Sequence, residues 1–424
     1  MCWQAPRLAP SRARAPGANA DMSTTKSHDV TTHAAAPDTR PLVGVRVIDF
    51  TQVLAGPYCT RLLADMGAEV IKVEPPAGDP SRVLPPQLGP GHSGYFAWLN
   101  AGKKSIVADL RNEADVAQLR DLIAQADVVV ENMRPGSLAA KGLGFEDLHK
   151  LNPRLVMCSI SAFGNSGAMA GQAGQGIIAE GMAGVIDMNG EAGGQPLPLG
   201  VSLADVSSGI HAYGAIVTAL YKKLSQDSAG EYIDISLFDS CLPYHDIALM
   251  QVCVGSGKVN PTRNGNEHPQ VVPYGVYEAP DAAFVLAAGT EVLWGRLSRL
   301  LDDALGASTE DLSTNAQRIK AHGIVRQRVE AWSRGLGSAR RTIEALKAAG
   351  IPAGPVEPVR NVPSSELARS RRSFVSMEDP VMGRISIPAT PFRFSDTNTE
   401  PRKRAPGLGE HTAEIAATLA QTKA

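Results

Sequence analysis

Two spacings of apolar residues alternate along the first half of the chain. Runs of consecutive β-branched and other apolar residues, typical of strands buried on both faces, recur as VRVIDF, AEVIKV, SIVADL, DVVVENM and RLVMCSI. Stretches with the spacing of an amphipathic helix lie between them, the first over roughly residues 56–66. This rhythm predicts a mostly parallel sheet covered by helices, which is a Rossmann-like α/β fold.

The pattern changes in the second half of the chain. After a predicted strand, EYIDISL, and a predicted helix, DSCLPYHDIALMQVCV, the segment YGVYEAPDAAFVLAAGT has the pattern of a β-hairpin, and two predicted helices follow. Helix-then-strand spacing returns in SARRTIEALKAAGIPAGPVEPV. We therefore predict a large α/β domain made of residues 41–240 and 335–424, interrupted by a smaller α+β domain at residues 241–334. Ligands of parallel sheets bind beyond the carboxyl ends of the strands, so the loops there are the candidate site.

Residues 1–40 differ from the rest of the chain in composition. They are rich in Ala, Pro, Ser, Thr and Arg, contain no acid before Asp21 and lack hydrophobic periodicity, which predicts a disordered N-terminal tail. A basic, acid-poor start is also typical of an organelle transit peptide. Met22 offers a plainer alternative, because MSTTKSH resembles an ordinary start and the preceding residues would then be an upstream extension.

Composition and charge exclude several classes of protein. With 424 residues, 43% of them hydrophobic, the chain can bury a large core, and its net charge of −2 provides no general attraction for nucleic acid or membrane surfaces. The five cysteines are scattered and none forms a C-x-x-C pair, so we expect no disulfide framework and no metal site. No apolar run is long enough to span a membrane. A cytoplasmic location fits this pattern best.

The glycine-containing loops do not match nucleotide-binding motifs. LNAGKKS resembles the end of a phosphate-binding P-loop, but the first glycine of that motif is missing and Lys104 stands where Ser or Thr is required. The first predicted strand–helix turn, DFTQVLAGPY, has one glycine where a dinucleotide fingerprint has three. A nicotinamide- or flavin-dependent oxidoreductase is therefore disfavoured.

Basic residues lie near the ends of several predicted strands. Lys103 and Lys104 form one cluster, Arg111 stands alone, and Arg134 and Lys141 form another group. Such charges commonly form a solvated face. A position beside a strand end is also where an anionic ligand is expected, and Arg and Lys are the usual partners of phosphate. The residues alone leave both interpretations open.

Asp205 lies at the predicted start of a helix, within PLGVSLADVSSGIHAYGAIVTALYKK. An aspartate at this position is commonly an N-cap, which stabilises a helix by about 1 kcal/mol. Ser207 or Ser208 could cap the helix instead. Asp205 would then be available as a nucleophile, kept ionised by the helix dipole.

Six blocks of sequence, in order, resemble one enzyme family. They are VRVIDFTQVLAGPYCTRLLADMGAEVIKVEPP, YFAWLNAGKKSIVADLR, ADVVVENMRPGSLAAKGLGFEDLHKLNPRLV, GVSLADVSSGIHAYGAIVTALYKK, IPAGPVEPV and APGLGEHT. Together they run from about residue 41 to about residue 420 and are similar to the class III CoA-transferases of the CaiB/BaiF type, the group that includes formyl-CoA and carnitine CoA-transferases. The resemblance is specific to the family and not to a substrate.

The resemblance implies an architecture, substrates and site residues. It implies an interlaced homodimer that acts on an acyl-CoA and a carboxylic acid, with no permanently bound cofactor. The nucleophilic aspartate of the family falls on Asp205. The positions implied to bind coenzyme A, together with the basic neighbours that we expect at its phosphates, are Leu54, Ala55, Lys103, Lys104, Asp109, Leu110, Arg111, Asn132, Met133, Arg134, Ala173, Gly174, Gln175 and Gly176.

The implied reaction moves coenzyme A from an acyl-CoA donor to a carboxylic acid through an aspartyl mixed anhydride and an aspartyl-CoA thioester. Many members carry an aromatic residue and an acid where this chain has Gln175 and Gly176, so a supporting carboxylate is missing. Racemases of the same fold place a histidine near this position to move an α-proton, which Gln175 cannot do. An isomerase or racemase and a non-catalytic acyl-CoA-binding protein nevertheless remain alternatives.

Two further differences concern the acid that is transferred. Formyl-CoA transferases have a glutamine where this chain has Leu54, and a run of glycines where it has only Gly265. A larger acid, such as succinate or another dicarboxylate, is therefore favoured over formate and oxalate. His268 is a candidate partner for the second carboxylate of such an acid.

Overall fold

Residues 38–89, 91–401 and 403–423 are described by a computed structural model. The predicted disordered tail and the question of Met22 lie outside these residues, apart from residues 38–40. The strands are β1 (Arg46–Asp49), β2 (Glu69–Glu74), β3 (Gln87–Gly89), β4 (His92–Ser93), β5 (Lys104–Val107), β6 (Val128–Glu131), β7 (Val156–Ser161), β8 (Tyr232–Ser236), β9 (Tyr274–Glu278), β10 (Ala283–Ala287), β11 (Ala353–Pro355), β12 (Phe374–Asp379) and β13 (Gly383–Pro388).

The α-helices of the described chain are α1 (Ala55–Asp65), α2 (Gly94–Asn100), α3 (Glu113–Ile123), α4 (Phe145–Leu151), α5 (Gly176–Met182), α6 (Leu203–Ser225), α7 (Leu237–Cys241), α8 (Ile247–Val254), α9 (Glu291–Leu305), α10 (Asn315–Lys320), α11 (His322–Leu336), α12 (Ala339–Ala348), α13 (Glu366–Ser370) and α14 (Thr412–Lys423). The first of them, α1, confirms the helix predicted over roughly residues 56–66.

Six strands form a parallel sheet in the order β5–β2–β1–β6–β7–β8. With the short β3–β4 hairpin set aside, the strands run third, second, first, fourth, fifth and sixth along the sheet, which is the order of a doubly wound Rossmann fold. The order reverses between β1 and β6, where Val47 pairs with Val128. The predicted Rossmann-like α/β fold is confirmed, and its switch point lies between these two strands.

Neighbouring side chains of the central strands enter two different cores. Val47 points into a core shared with α1 and α6, whereas Ile48 points into a core shared with α3, α4 and α14. Both residues are fully buried. Because helices cover both faces of the sheet, neighbouring apolar residues of its inner strands are buried on opposite faces, which is the pattern that predicted them.

A second sheet is antiparallel, with the order β11–β10–β9. Its strands β9 and β10 confirm the predicted hairpin. Strand β11 pairs with β10 through Phe284 and Pro355, and Ile343 and Leu346 of α12 share a core with Phe284. Residues 339–355 therefore pack with this sheet, although they follow residue 335, where the sequence places the return to the large domain; the domain boundaries remain a prediction. Helical and strand spacing identified α12 and β11 correctly, but spacing does not reveal which sheet edge a strand joins.

The segment predicted as one helix over DSCLPYHDIALMQVCV is interrupted. Helix α7 ends at Cys241, a 3₁₀ turn covers Leu242–His245, and α8 follows Asp246, whose φ is 44°. Pro243 lacks a backbone N–H, so a continuous helix would lose a hydrogen bond there. Helix α8 is almost entirely apolar, yet none of its residues is buried.

Candidate active site

A cleft opens beyond the carboxyl ends of β1, β6 and β7, beside the switch point of the sheet. Its volume is about 560 Å³, which suits a small-molecule ligand. Most of the sequence-predicted site residues line it: Leu54, Ala55, Asn132, Met133, Arg134, Ala173, Gly174, Gln175, Gly176 and Asp205. The fold therefore brings together four loops that are distant in sequence, as the parallel strand pattern predicts.

The loops that follow β1 and β6 are tied to each other across the switch point. The N–H of Gln52 donates to Oδ1 of Asn132 at 2.7 Å, and Nδ2 of Asn132 donates to the carbonyl of Gln52 at 2.9 Å. Asn132 thus holds the wall of the cleft through both ends of its amide.

A buried ion pair anchors the loop after β1. Val53 has a φ of 65°, a left-handed conformation that costs a β-branched residue about 1–2 kcal/mol. Its N–H donates to Oδ1 of Asp79 at 3.3 Å, and Oδ2 of Asp79 lies 2.8 Å from Nζ of Lys72. Lys72 also donates to the carbonyl of Thr51 at 2.6 Å. The loop is therefore held on both sides of Gln52, which stabilises its strained conformation.

Asp205 is not a helix cap. The N-cap of α6 is Ser202, which makes no capping hydrogen bond with its side chain, and Asp205 lies in the first helical turn. Ser207 and Ser208 do not cap the helix either, because their hydroxyls donate to the carbonyl of Ala204 at 3.1 and 2.6 Å. The carboxylate of Asp205 has no capping role and faces the cleft.

The first residue of α5 lies directly against this carboxylate. A Cβ atom added to Gly176 would lie 2.1 Å from Oδ2 of Asp205, far closer than van der Waals contact allows. Gly176 therefore leaves the space that the Asp205 carboxylate occupies. With Asp205 in this position, a side chain at residue 176 would overlap it.

Burial raises the pKa of Asp205 to about 6, and the negative charge of Glu180 adds to this effect. Asp205 is therefore about nine-tenths ionised at pH 7, and not held fully ionised by the helix dipole as expected from the sequence. Tyr95 lines the same cleft; burial, followed by the charges of Asp205 and Asp79, raises its pKa to about 12. A reaction that needs ionised Asp205 would be lost as the pH falls through 6.

Lys103, predicted to bind coenzyme A phosphates, is part of the protein core. Its Nζ lies 3.0 Å from Oδ2 of Asp49, 2.7 Å from Oγ1 of Thr60, 2.9 Å from Oδ1 of Asn100 and 3.1 Å from the carbonyl of Pro57. Burial lowers the pKa of Lys103 to about 8, although Asp49 opposes this shift. This fully buried ammonium does not line the cleft, and its assignment to coenzyme A remains a prediction that these contacts do not favour.

Replacing Lys103 by methionine is expected to lower the free energy of unfolding by about 3–5 kcal/mol, because Asp49 is left as an unpaired buried charge. Lys104→Met is the matched control. Lys104 pairs with Glu69 and Glu414 at a partly exposed position, so its loss is expected to cost less than about 1 kcal/mol. Urea unfolding measures both values. If Lys103→Met has normal stability but a raised KM for acyl-CoA, the result would support binding of coenzyme A by Lys103.

Other predicted residues lie outside the cleft. Lys104 begins β5 and so lies at the amino edge of the sheet, opposite the cleft. Residues 109–111 do not line the cleft, and exposed Arg111 pairs with Asp109 at 2.8 Å. Their assignment to coenzyme A remains a prediction. His268 lines a separate cleft of about 420 Å³ together with Arg263.

Two residues near Asp205, Tyr95 and Glu180, were not predicted from the sequence. Gln52 was, since it opens the loop of residues 52–57 that follows the first predicted strand, and it lines the cleft. Tyr95 lies on α2, which precedes strand β5 and so does not follow a strand of the parallel sheet, yet it lines the cleft. Glu180 lies four residues after Gly176 on the same side of α5, but burial of this acid was not apparent from composition.

Two negative findings apply to residues 38–89, 91–401 and 403–423. No group of three or more His, Cys, Asp or Glu side chains is arranged there to hold a metal ion. No helix in this part of the chain combines the length and hydrophobicity needed to cross a bilayer.

Comparisons with known proteins agree with this geometry. The sequence model of CoA-transferase family III matches residues 42–412. The chain is 36% identical over 390 residues to a succinate–glutarate CoA-transferase of Agrobacterium fabrum, covering 89% of this chain and 96% of that protein. It is 33% identical to the human succinyl-CoA:glutarate CoA-transferase, covering 89% and 85%. A crystal structure of a CaiB/BaiF family protein from Brucella suis superimposes with a TM-score of 0.78 and 35% identity, covering 89% of this chain and 99% of that one. The chain therefore belongs to CoA-transferase family III.

Proposed function

We propose that this enzyme transfers coenzyme A between carboxylic acids with Asp205 as the nucleophile. The observation that carries the proposal is the position of Asp205: among the described residues that line the cleft, it is the only carboxylate. It is partly exposed to the cleft, adjacent to Gly176, and mostly ionised at neutral pH. A carboxylate in this state can attack a thioester carbonyl.

The proposed reaction has four steps that balance without a redox partner. Oδ of Asp205 attacks the acyl carbonyl of the donor, the carbon–sulfur bond breaks, and a mixed anhydride and coenzyme A thiolate result. The thiolate attacks the Asp205 carbonyl, which gives an aspartyl-CoA thioester and releases the donor acid. The acceptor carboxylate attacks this thioester to form a second anhydride and thiolate. The thiolate then attacks the acceptor acyl carbonyl, which releases the new acyl-CoA and ionised Asp205.

The protein contributes orientation and charge to these steps. Arg134 is the only basic side chain among the described residues that line the cleft, and it forms no ion pair there, so it is the proposed partner of a coenzyme A phosphate. Leu54 is the N-cap of α1 and offers no capping side chain, and Leu54 and Ala55 line the cleft, so the backbone at this helix start is a proposed source of N–H donors to the ligand. Positioning of this kind can contribute about 7–11 kcal/mol to catalysis.

Dicarboxylates are the proposed acids. The relatives named above act, by their names, on succinate and glutarate, and a further relative at 33% identity is a succinyl-CoA:mesaconate CoA-transferase of Haloarcula hispanica. The test supplies succinyl-CoA or acetyl-CoA with glutarate, mesaconate, oxalate and a monocarboxylate of matched length. We expect the dicarboxylates of four or five carbons to give the highest kcat/KM, together with a hydroxylamine-sensitive adduct at Asp205.

Two results would refute this function. Exchange of the α-proton of an acyl-CoA with deuterium from solvent, in the absence of an acceptor acid, would indicate an isomerase. Binding of acyl-CoA without any adduct at Asp205 would indicate a non-catalytic binding protein.

We further propose that a second copy of the chain covers α8. Three apolar side chains of α8, a helix that contains no buried residue, are largely exposed: Met250 at 56%, Val252 at 52% and Val254 at 72%. The family resemblance of the sequence implies an interlaced dimer, which would cover such a surface. We expect a solution mass of about twice 44.6 kDa. Met250→Glu should shift the protein toward the monomer, whereas Val292→Glu, at a position on α9 that is 68% exposed, should not. Light scattering after gel filtration measures both; a monomeric wild-type protein would contradict the proposal.

A further inference from the structure

Glu180 is a buried acid in the wall behind Asp205. Its side chain is 3% exposed, and its Oε1 accepts a hydrogen bond from the N–H of Ala204 at 3.1 Å. Ala204 immediately precedes Asp205, in the first turn of α6, where Ser202 provides no capping side chain. Glu180 therefore supplies an acceptor that this helix start otherwise lacks, from a different helix.

The position of Glu180 on α5 aims it at Asp205. Gly176 and Glu180 are one turn apart on the same side of α5. Gly176 lies directly against Oδ2 of Asp205, so this side of α5 faces the nucleophile. Neither carboxylate forms an ion pair with a basic side chain in the described part of the chain. The two acids consequently act on each other without a neutralising partner.

The surroundings of the pair are otherwise poor in charge. Buried Cys241 of α7 lies close to both acids, since burial and then the charges of Glu180 and Asp205 raise its thiol pKa to about 11. The other titratable or charged groups on the elements packed around α6 are Tyr58, Cys59 and the mutually paired Arg61 and Asp65 on α1, Cys158 on β7, Tyr232 and Asp234 on β8, and Asp239 on α7, while Tyr95 of α2 lines the same cleft. Glu180 is the one charged side chain that acts directly on Asp205 in the described chain.

We propose that Glu180 is a positioning residue for Asp205: it fixes the first turn of α6 through Ala204 and places a second negative charge behind the nucleophile, which makes Asp205 more reactive. The inference rests on the proposed function, since it concerns the same acyl transfer. A carboxylate that binds a proton more tightly is also the stronger nucleophile toward a thioester, provided that it stays ionised at the working pH. With a pKa of about 6, Asp205 meets both conditions at pH 7.

The test is the pH dependence of kcat/KM in Glu180→Gln. Glutamine keeps an acceptor for the N–H of Ala204 and removes only the charge. In the wild type we expect the acid side of the profile to fall near pH 6, and in Glu180→Gln to move about one pH unit lower. The rate of adduct formation at pH 8, where Asp205 is ionised in both proteins, should fall about threefold, because the less basic carboxylate is the weaker nucleophile.

Glu191→Gln is the matched control, because Glu191 is an exposed acid that does not act on Asp205. Its profile should coincide with that of the wild type. An unchanged acid limb and unchanged adduct rate in Glu180→Gln would show that Glu180 only stabilises the fold, and would overturn the inference. Glu180→Ala, which also removes the acceptor, should lower thermal stability in addition to moving the acid limb.

A spectroscopic measurement covers the case in which Glu180→Gln does not fold. Carboxyl ¹³C resonances of labelled glutamate in the wild type and in Asp205→Asn report whether Glu180 senses the titration of Asp205. A Glu180 resonance that shifts near pH 6 in the wild type and not in Asp205→Asn supports the inference, and its absence contradicts it. If no adduct forms at Asp205 in the wild type, the proposed function fails; if the adduct forms but Glu180 has no effect, only this inference fails.

Discussion

Replacing Asp205 by asparagine is expected to lower kcat for coenzyme A transfer by at least about 10³-fold, because the nucleophile of both covalent intermediates is removed. Asparagine has almost the same volume, so the cleft and the contact with Gly176 are kept. Steady-state rates with succinyl-CoA and glutarate measure the loss, and mass spectrometry after hydroxylamine quenching should find no modification at residue 205. Asp205→Asn with more than a few per cent of wild-type kcat would remove this residue from the mechanism.

Stability provides the control for this variant. The pKa of Asp205 is raised from its ordinary value of 3.8 to about 6, so the folded protein favours the protonated acid and is destabilised as the pH rises from about 4 through 6. Asp205→Asn has no charge there and should be more stable than the wild type at pH 8, by about 1–3 kcal/mol. The difference should vanish below pH 4. Urea unfolding at the two pH values measures it, and separates loss of chemistry from loss of structure.

Gly176→Ala is expected to lower kcat about 10²-fold, because the added methyl group would lie 2.1 Å from Oδ2 of Asp205 and must displace the carboxylate. The matched control is Gly181→Ala in the same helix, where the nearest atom, Cδ1 of Ile186, would lie at an ordinary 3.6 Å. That variant should keep its activity and gain about 0.5–1 kcal/mol of stability from helix propensity. Equal activity of the two variants would show that the carboxylate is not confined as described.

The sequence predicts the cleft well because a parallel sheet collects strand ends at one edge. The ends of VRVIDF, DVVVENM and RLVMCSI, with the loops that follow them, are predicted to meet, and Leu54, Asn132 and Gln175 do line one cavity with Asp205. Strand direction alone determines this convergence, because the carboxyl ends of parallel strands lie at the same edge of the sheet.

Burial and partner choice could not be predicted in the same way. Lys103 and Lys104 are adjacent and chemically identical, yet one is enclosed with Asp49 and the other lies at a partly exposed surface between two glutamates. The pKa of Asp205 is raised by burial and then by the charge of Glu180, which lies on a different helix. Such pairings are set by the packing of whole elements, about which local spacing says nothing.

The left-handed backbone at Val53 has a consequence for engineering this enzyme. Glycine adopts that conformation without steric strain, and the valine side chain is 39% exposed, so Val53→Gly would relieve about 1–2 kcal/mol of strain against about 0.5–1 kcal/mol of added unfolded-state entropy. The same substitution would remove an apolar side chain from the lining of the cleft and make the loop after β1, which Asp79 holds, more flexible. At this single position, a substitution that raises thermal stability is therefore expected to lower substrate affinity.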